Sequence, residues 1–111
     1  MIYTRDARRE FLELPDEVVT MRAATEEYAM IVAQAVRAKM NTTWGLAETG
    51  ASGPSGNRYG DDAGHVCVAL AGPVDKTLTL ETGSAEREEN MWAFTKAALG
   101  LLEEAVRESA E

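Results

Sequence analysis

The residues best able to do chemistry gather in one stretch, "TGASGPSGNRYGDDAGH", Thr49 to His65. Five of its residues are glycine: Gly50, Gly53, Gly56, Gly60 and Gly64. Glycines, lacking Cβ, let backbone N–H groups turn inward and hold an anion. Thr49 and Ser52 add hydroxyl donors, and Arg58 adds a charge that stays protonated. The stretch is neither a P-loop nor a dinucleotide-binding fingerprint. No Walker lysine follows the glycines, and no G-x-G-x-x-G opens a helix. The pattern therefore leaves two readings open, an anion site and a structural turn.

His65 and Cys67 stand two apart on a candidate strand and so share a face. A zinc site wants four ligands, or three plus water, so a packed strand is expected there, with no metal and no cofactor. Cys67 lies in an apolar run, which suits an inert core thiol better than a nucleophile. Asp61 and Asp62 read as an acid/base pair or as a solvated turn. No serine stands at a recognisable spacing from a histidine or lysine, so no catalytic residue is assigned.

These residues need elements to position them. "MIYT" reads as a short strand, and "RDARREFLEL" as a helix with Ala7, Phe11 and Leu14 on one face, ended by Pro15. "PDEVV" suits a helical turn. Thr25 is a helix N-cap, followed by Glu26 and Glu27 at the positive end of the dipole. Tyr28, Ile31, Val32, Ala35 and Val36 then form one apolar stripe, ending near Met40. "TWGLAET" reads as a strand. "HVCVALA" is apolar on both faces, as a covered central strand should be, and "KTLTLET" alternates as its hairpin partner. A long helix closes the chain, capped by Ser84, with a stripe of Met91, Phe94, Ala98, Leu101 and Ala105 widened by Leu99, Leu102 and Val106. The order β-α-α-β-β-β-α predicts a three-layer α/β/α domain with a mixed sheet. Because its first strand begins at Met1, the domain is expected to be N-terminally incomplete, without an initial strand and helix.

The totals bound the function. The chain has 111 residues, which suits a single domain, and 45% of them are apolar. A net charge of −8 speaks against nucleic acid and against anionic membrane surfaces. The apolar run Val66–Ala71 falls far short of the roughly 20 residues that span a bilayer. The charged N-terminus has no signal-peptide pattern, and a lone cysteine allows no internal disulfide, so a cytoplasmic location is expected.

Four segments in order resemble one family. "GLAETGASGPSGNRYGDDAGHVCVALAGP" is similar to the signature of the C-terminal domain of the competence/damage-inducible protein CinA, where a strand ends in T-G-x-A/S-G-P before a glycine-rich loop and a second strand. "IYTRDARREFLELPDEVV", "AATEEYAMIVAQAVR" and "GSAEREENMWAFTKAALGLLEEAV" resemble the family's flanking segments. The resemblance implies a nicotinamide-nucleotide amidohydrolase, which releases ammonia from nicotinamide mononucleotide through a serine nucleophile assisted by a lysine. It implies substrate-binding roles for Tyr3, Arg8, Thr49, Gly50, Ser52, Gly53, Pro54 and Arg87. Arg8 stands where the family has its lysine, and a guanidinium does not act as a base. The family's E-S-C/T-x-G-G segment has no counterpart in these residues. The expectation is therefore a domain that holds a nicotinamide mononucleotide-like ligand and does not hydrolyse it alone. The alternatives are a longer active protein and a module for nucleotide binding or subunit interaction, with a possible homo-oligomer.

Overall fold

Strand β2 (His65–Ala71) is buried at every position, and the rest of the molecule is arranged around it. The computed structural model describes residues 5–110. β1 (Gly45–Ala51) and β3 (Lys76–Glu81) flank β2 in a three-stranded sheet of order β1-β2-β3. Both pairings are antiparallel, with Thr49 opposite Cys67 and His65 opposite Glu81. The parallel pairing that would make the sheet mixed needs the strand expected at residues 1–4, which lies outside the described residues.

Each face of the sheet carries one long helix, giving the expected three layers. α3 (Glu26–Met40) covers the face of Cys67, Ala69 and Ala71 with Ala29 and Ala33. Small side chains on both sides let helix and sheet close tightly. At Gly45 a Cβ would sit 2.2 Å from the Ala33 carbonyl oxygen, so only glycine allows this approach. α4 (Arg87–Ser109) covers the opposite face, where Phe94, Ala98, Leu101 and Ala105 pack on Val66, Val68 and Leu70.

Two short helices, α1 (Arg5–Leu12) and α2 (Asp16–Val19), form a further cover on the outside of α3. Leu12, Leu14 and Val19 pack there on Ile31, Val32, Ala35 and Val36. The stripe read from the sequence thus faces α1 and α2, while Ala29 and Ala33 meet the sheet. Phe11 was expected inward and is 43% exposed. The chain reverses at Glu13, with φ of 55°, and this turn gives the inward positions to Leu12 and Leu14. Thr25 caps α3 as expected, its hydroxyl accepting from the Tyr28 N–H at 3.1 Å. Ser84 does not cap α4. Glu86 holds the cap position without a side-chain bond, and the Ser84 hydroxyl accepts from the Glu86 N–H at 3.1 Å. Met91, Leu99 and Val106 of the expected stripe are exposed on α4.

Candidate functional site

The end of β1, the starts of β2 and α3, the end of β3 and the start of α4 all meet at one edge of the sheet, and the glycine loop closes over that edge. The two halves of the loop behave differently. Residues 57–65 form an internally bonded turn organised by Asn57. Its side-chain oxygen accepts from the N–H groups of Tyr59 at 2.9 Å and Asp61 at 3.1 Å, and its amide donates to the Asp61 carboxylate at 2.8 Å. The Asn57 N–H donates to the Asp61 carbonyl, and the Gly64 N–H to the Ala51 carbonyl. These donors are spent, so this half is the structural turn. In residues 52–56 no described hydrogen bond engages the N–H groups of Ser52, Gly53, Ser55 or Gly56. This half keeps the free donors that an anion needs.

The residues assigned from sequence divide between two sides of this edge. On the α4 side, Arg87 Nη1 donates to the Gly53 carbonyl at 3.0 Å. Asn90, fully buried in the first turn of α4, donates to the carbonyls of Ser52 at 2.9 Å and Ser84 at 2.8 Å and accepts from the Thr82 hydroxyl. Gly53 has φ of 106°, and a Cβ there would meet the Ala85 carbonyl oxygen at 2.7 Å. The Gly53–Pro54 peptide is cis, and Pro54 is exposed. Ser52, Gly53, Pro54 and Arg87 are thus brought together. Asn90 was missed by sequence reading. A polar residue at a sheet-facing helical position, four before Phe94, was its signal.

On the α3 side, Thr49 Oγ1 accepts from the Ala24 N–H at 3.0 Å, so its hydroxyl serves the chain entering α3. Gly50 lies in β1, where a Cβ would overlap the His65 carbonyl oxygen at 2.1 Å; its role is strand packing. Arg8 donates to the Tyr28 hydroxyl and lies 5.4 Å from the centre of that ring. Arg22 and Arg58 lie 5.5 and 5.0 Å from the Tyr59 ring centre. Burial pushes the Tyr28 hydroxyl up in pKa, Arg8 opposes this, and the neighbouring Tyr59 adds to it. Arg22 also pairs with Asp61 at 3.0 Å. Hydrogen bonding from Asn57 leads the causes that hold the Asp61 carboxyl below its usual range. Three guanidinium groups from separate segments therefore surround two tyrosines in a chain of net charge −8. Tyr3 lies outside the described residues.

A third group sits on the α3 face of β2 and β3. His65 Nδ1 meets the Glu81 carboxylate, Nε2 meets the Ala24 carbonyl at 2.8 Å, and Cys67 Sγ stands 3.7 Å from Nε2. The order thiol, imidazole, carboxylate is that of a nucleophilic triad. The details give it another role. Nε2 is spent on a carbonyl, so it must carry a proton and cannot take one from sulfur. Burial raises the Cys67 thiol in pKa, against the lowering effect of the Thr79 hydroxyl. The group is a tie that fixes Ala24, whose φ is 58°, at the entry to α3. Among the described residues no cluster of His, Cys, Asp and Glu could hold a metal ion, and no helix is long and apolar enough to cross a membrane.

A depression of about 510 Å³ opens beside the turn, lined by Gly60, Asp61, Asp62, Ala63, Glu81, Thr82 and Gly83. Its three carboxylates suit no anion.

Known proteins share this fold. Residues 1–106 match the family model described as the CinA C-terminal domain. A CinA-like protein of Gloeobacter violaceus is 33% identical over 104 residues, covering 90% of this chain and 24% of that protein. One from Anaeromyxobacter is 40% identical over 87 residues, covering 77% of this chain and 21% of its own length. The chain thus spans about a quarter or less of these curated relatives. The crystal structure of the competence damage-inducible protein A from Klebsiella pneumoniae superposes with a TM-score of 0.85 at 21% identity, over 96% of this chain and 66% of that one, a likeness of fold. With the fold, the loop motif and nearly the whole chain matched, this protein belongs to the CinA C-terminal domain family.

Proposed function

We propose that this chain forms the nucleotide-holding part of a pyridine-nucleotide amidohydrolase site and that alone it binds nicotinamide mononucleotide without hydrolysing it. The observation that carries the reading is the gathering of Arg8, Arg22 and Arg58 around Tyr28 and Tyr59 on the α3 side of the site. A nucleotide is a flat aromatic group joined to a phosphate. Tyrosine rings and guanidinium planes suit the first, and guanidinium charge with backbone N–H groups suits the second. Arg87, at the lip of the loop, adds a further cation on the α4 side.

The lack of turnover follows from the groups at hand. Amide hydrolysis needs a nucleophile with a base beside it. Arg8 supplies charge where the resemblance calls for a lysine base. Of the Cys67–His65–Glu81 set, Cys67 and His65 are buried and the imidazole is committed to Ala24.

Calorimetric titration of nicotinamide mononucleotide, with ammonia release followed in parallel, tests both parts. Saturable binding is expected, weakened about tenfold in Arg58→Gln and by added salt, with ammonia at the no-protein level. Arg58 is exposed and meets only Tyr59 among the contacts described, so this variant should keep its fold. Absence of binding at millimolar ligand would refute the binding role. Ammonia above background would refute the inactivity.

A further inference from the structure

A carboxylate stands inside the arginine group. Arg22 Nη2 lies 3.0 Å from Asp61 Oδ1 and 3.2 Å from Oδ2, and the Asn57 amide donates to the same carboxylate at 2.8 Å. The Asp61 side chain is 16% exposed, against 52% for Arg22. Tyr59 therefore has two guanidinium neighbours in different states. Arg58 makes no ion pair among the described residues, whereas Arg22 is already paired. The turn itself does not need this charge. Asp61 closes it through its N–H and its carbonyl, both bonded to Asn57, and an amide oxygen in place of Asp61 Oδ2 would still accept from the Asn57 side chain.

Such a charge bears on which anions the group can take, an inference that rests on the reading above in which the arginine group receives the phosphate. A ligand anion must either take Arg22 from Asp61 or bind beside the Asp61 charge, and both weaken it. A ligand whose partner is free only part of the time loses affinity by that fraction. A carboxylate ligand brings a single charge and offers Arg22 nothing that Asp61 does not already give. A phosphate monoester brings a charge of about −1.5 to −2 at pH 7 and three acceptor oxygens, so it competes where a single carboxylate does not. We propose that Asp61 is a specificity-determining residue of this site. It holds Arg22 as an internal counter-anion, and so admits phosphate monoesters and turns away simple carboxylates.

Calorimetric titration of the whole chain with nicotinamide mononucleotide and with nicotinate, a monocarboxylate, tests the proposal, with circular dichroism as the check on folding. The unaltered chain should bind the nucleotide and show no saturable binding of nicotinate at millimolar concentration. Asp61→Asn, which keeps an oxygen for the Asn57 amide, should bind the nucleotide about tenfold tighter and bind nicotinate measurably. Damage to the turn would loosen binding, so a gain is not what a merely structural role gives. Asp62→Asn removes the same charge one residue on, at an exposed position screened by salt, and should change the nucleotide affinity by about twofold at most. Adding Arg22→Gln to Asp61→Asn should abolish the gain. Nucleotide binding by the unaltered chain with no tightening in Asp61→Asn, equal tightening in Asp62→Asn, or a gain that survives Arg22→Gln would each overturn the inference and leave the binding role standing. Failure of both the unaltered chain and Asp61→Asn to bind the nucleotide would overturn the binding role, and this inference with it.

Discussion

Helices α3 and α4 flank the same strand, yet they are held in different ways. α3 is covered twice, by the sheet through Ala29 and Ala33 and by α1 and α2 through Ile31, Val32, Ala35 and Val36. Its ends are closed by Thr25 and by Asn41, whose φ of 51° stops the helix in the left-handed conformation. α4 has one covered face, no side-chain N-cap bond, and a row of exposed apolar residues. Many small contacts hold α3 in place, whereas α4 relies on a few large side chains and one buried amide. A change on α4 should therefore act through single residues, and a change on α3 should be spread over neighbours.

The largest test removes a large side chain from the α4 face. Phe94 is 5% exposed and central to the cluster on Val66, Val68 and Leu70. Phe94→Ala should cost about 3–5 kcal/mol in urea unfolding, through lost burial and the cavity left behind. A loss below about 1 kcal/mol would mean that α4 is held elsewhere and would break the comparison. The next test removes the amide. Asn90→Ala leaves the Ser52 and Ser84 carbonyls and the Thr82 hydroxyl without their partner, at a cost of about 2–3 kcal/mol. Hydrogen exchange should quicken in residues 52–56 before it changes in β2, because the hydrogen bonds of Asn90 join the loop to α4 and none of those described reaches the strand.

The sequence made most of this frame legible, for physical reasons that vary by element. β2 was readable because both of its faces are covered, so alternation vanishes and only a continuous apolar run remains. The α3 boundary was readable because Thr25 caps it through a local bond. The α4 cap misled, because the Ser84 hydroxyl accepts from the N–H of the cap residue Glu86 and from none inside the helix. The α4 stripe was read too wide, because exposed apolar residues such as Met91, Leu99 and Val106 recur with the same helical period as those that face the sheet. In the site, the loop was legible only as a glycine-rich stretch with two readings open, and its division into a bonded half and Ser52–Gly56 came from the hydrogen bonds. The arginine group was not legible: Arg58 is the neighbour of Tyr59 in sequence, but Arg8 reaches Tyr28 only through the packing of α1 on α3, and Arg22 reaches Tyr59 only in the folded chain. The same holds for His65 and Glu81, which become neighbours only through the β2–β3 register.

A smaller effect sharpens the α3 side. The Thr25 hydroxyl accepts the Tyr28 N–H, and Thr25→Ala should cost about 1 kcal/mol. Because the sheet and α1–α2 both hold α3, the loss should stay near that value, with the ultraviolet signature of the helix unchanged. A loss as large as that of Asn90→Ala would show that α3 depends on its end as much as α4 does.

The finest distinction between the two faces is electrostatic. The α4 face of β2 is apolar, whereas the α3 face holds His65, the one histidine of the chain. Burial acts to lower its pKa, but the bonds to the Ala24 carbonyl and Glu81 and the charges of Asp61 and Glu81 outweigh it, so the folded-state value is raised. A raised folded value means that folding favours the protonated form. The added stability is fully present below the unfolded pKa of about 6.5 and is lost as the pH rises through the folded value. The Cys67 thiol, itself raised from its ordinary value, lies above that interval. Stability measured by urea unfolding should therefore fall from pH 6 toward alkaline pH, and His65→Gln should remove that slope while lowering stability most at the acidic end. A slope that persists in His65→Gln would place the titrating group elsewhere and leave the His65–Ala24 tie a neutral contact.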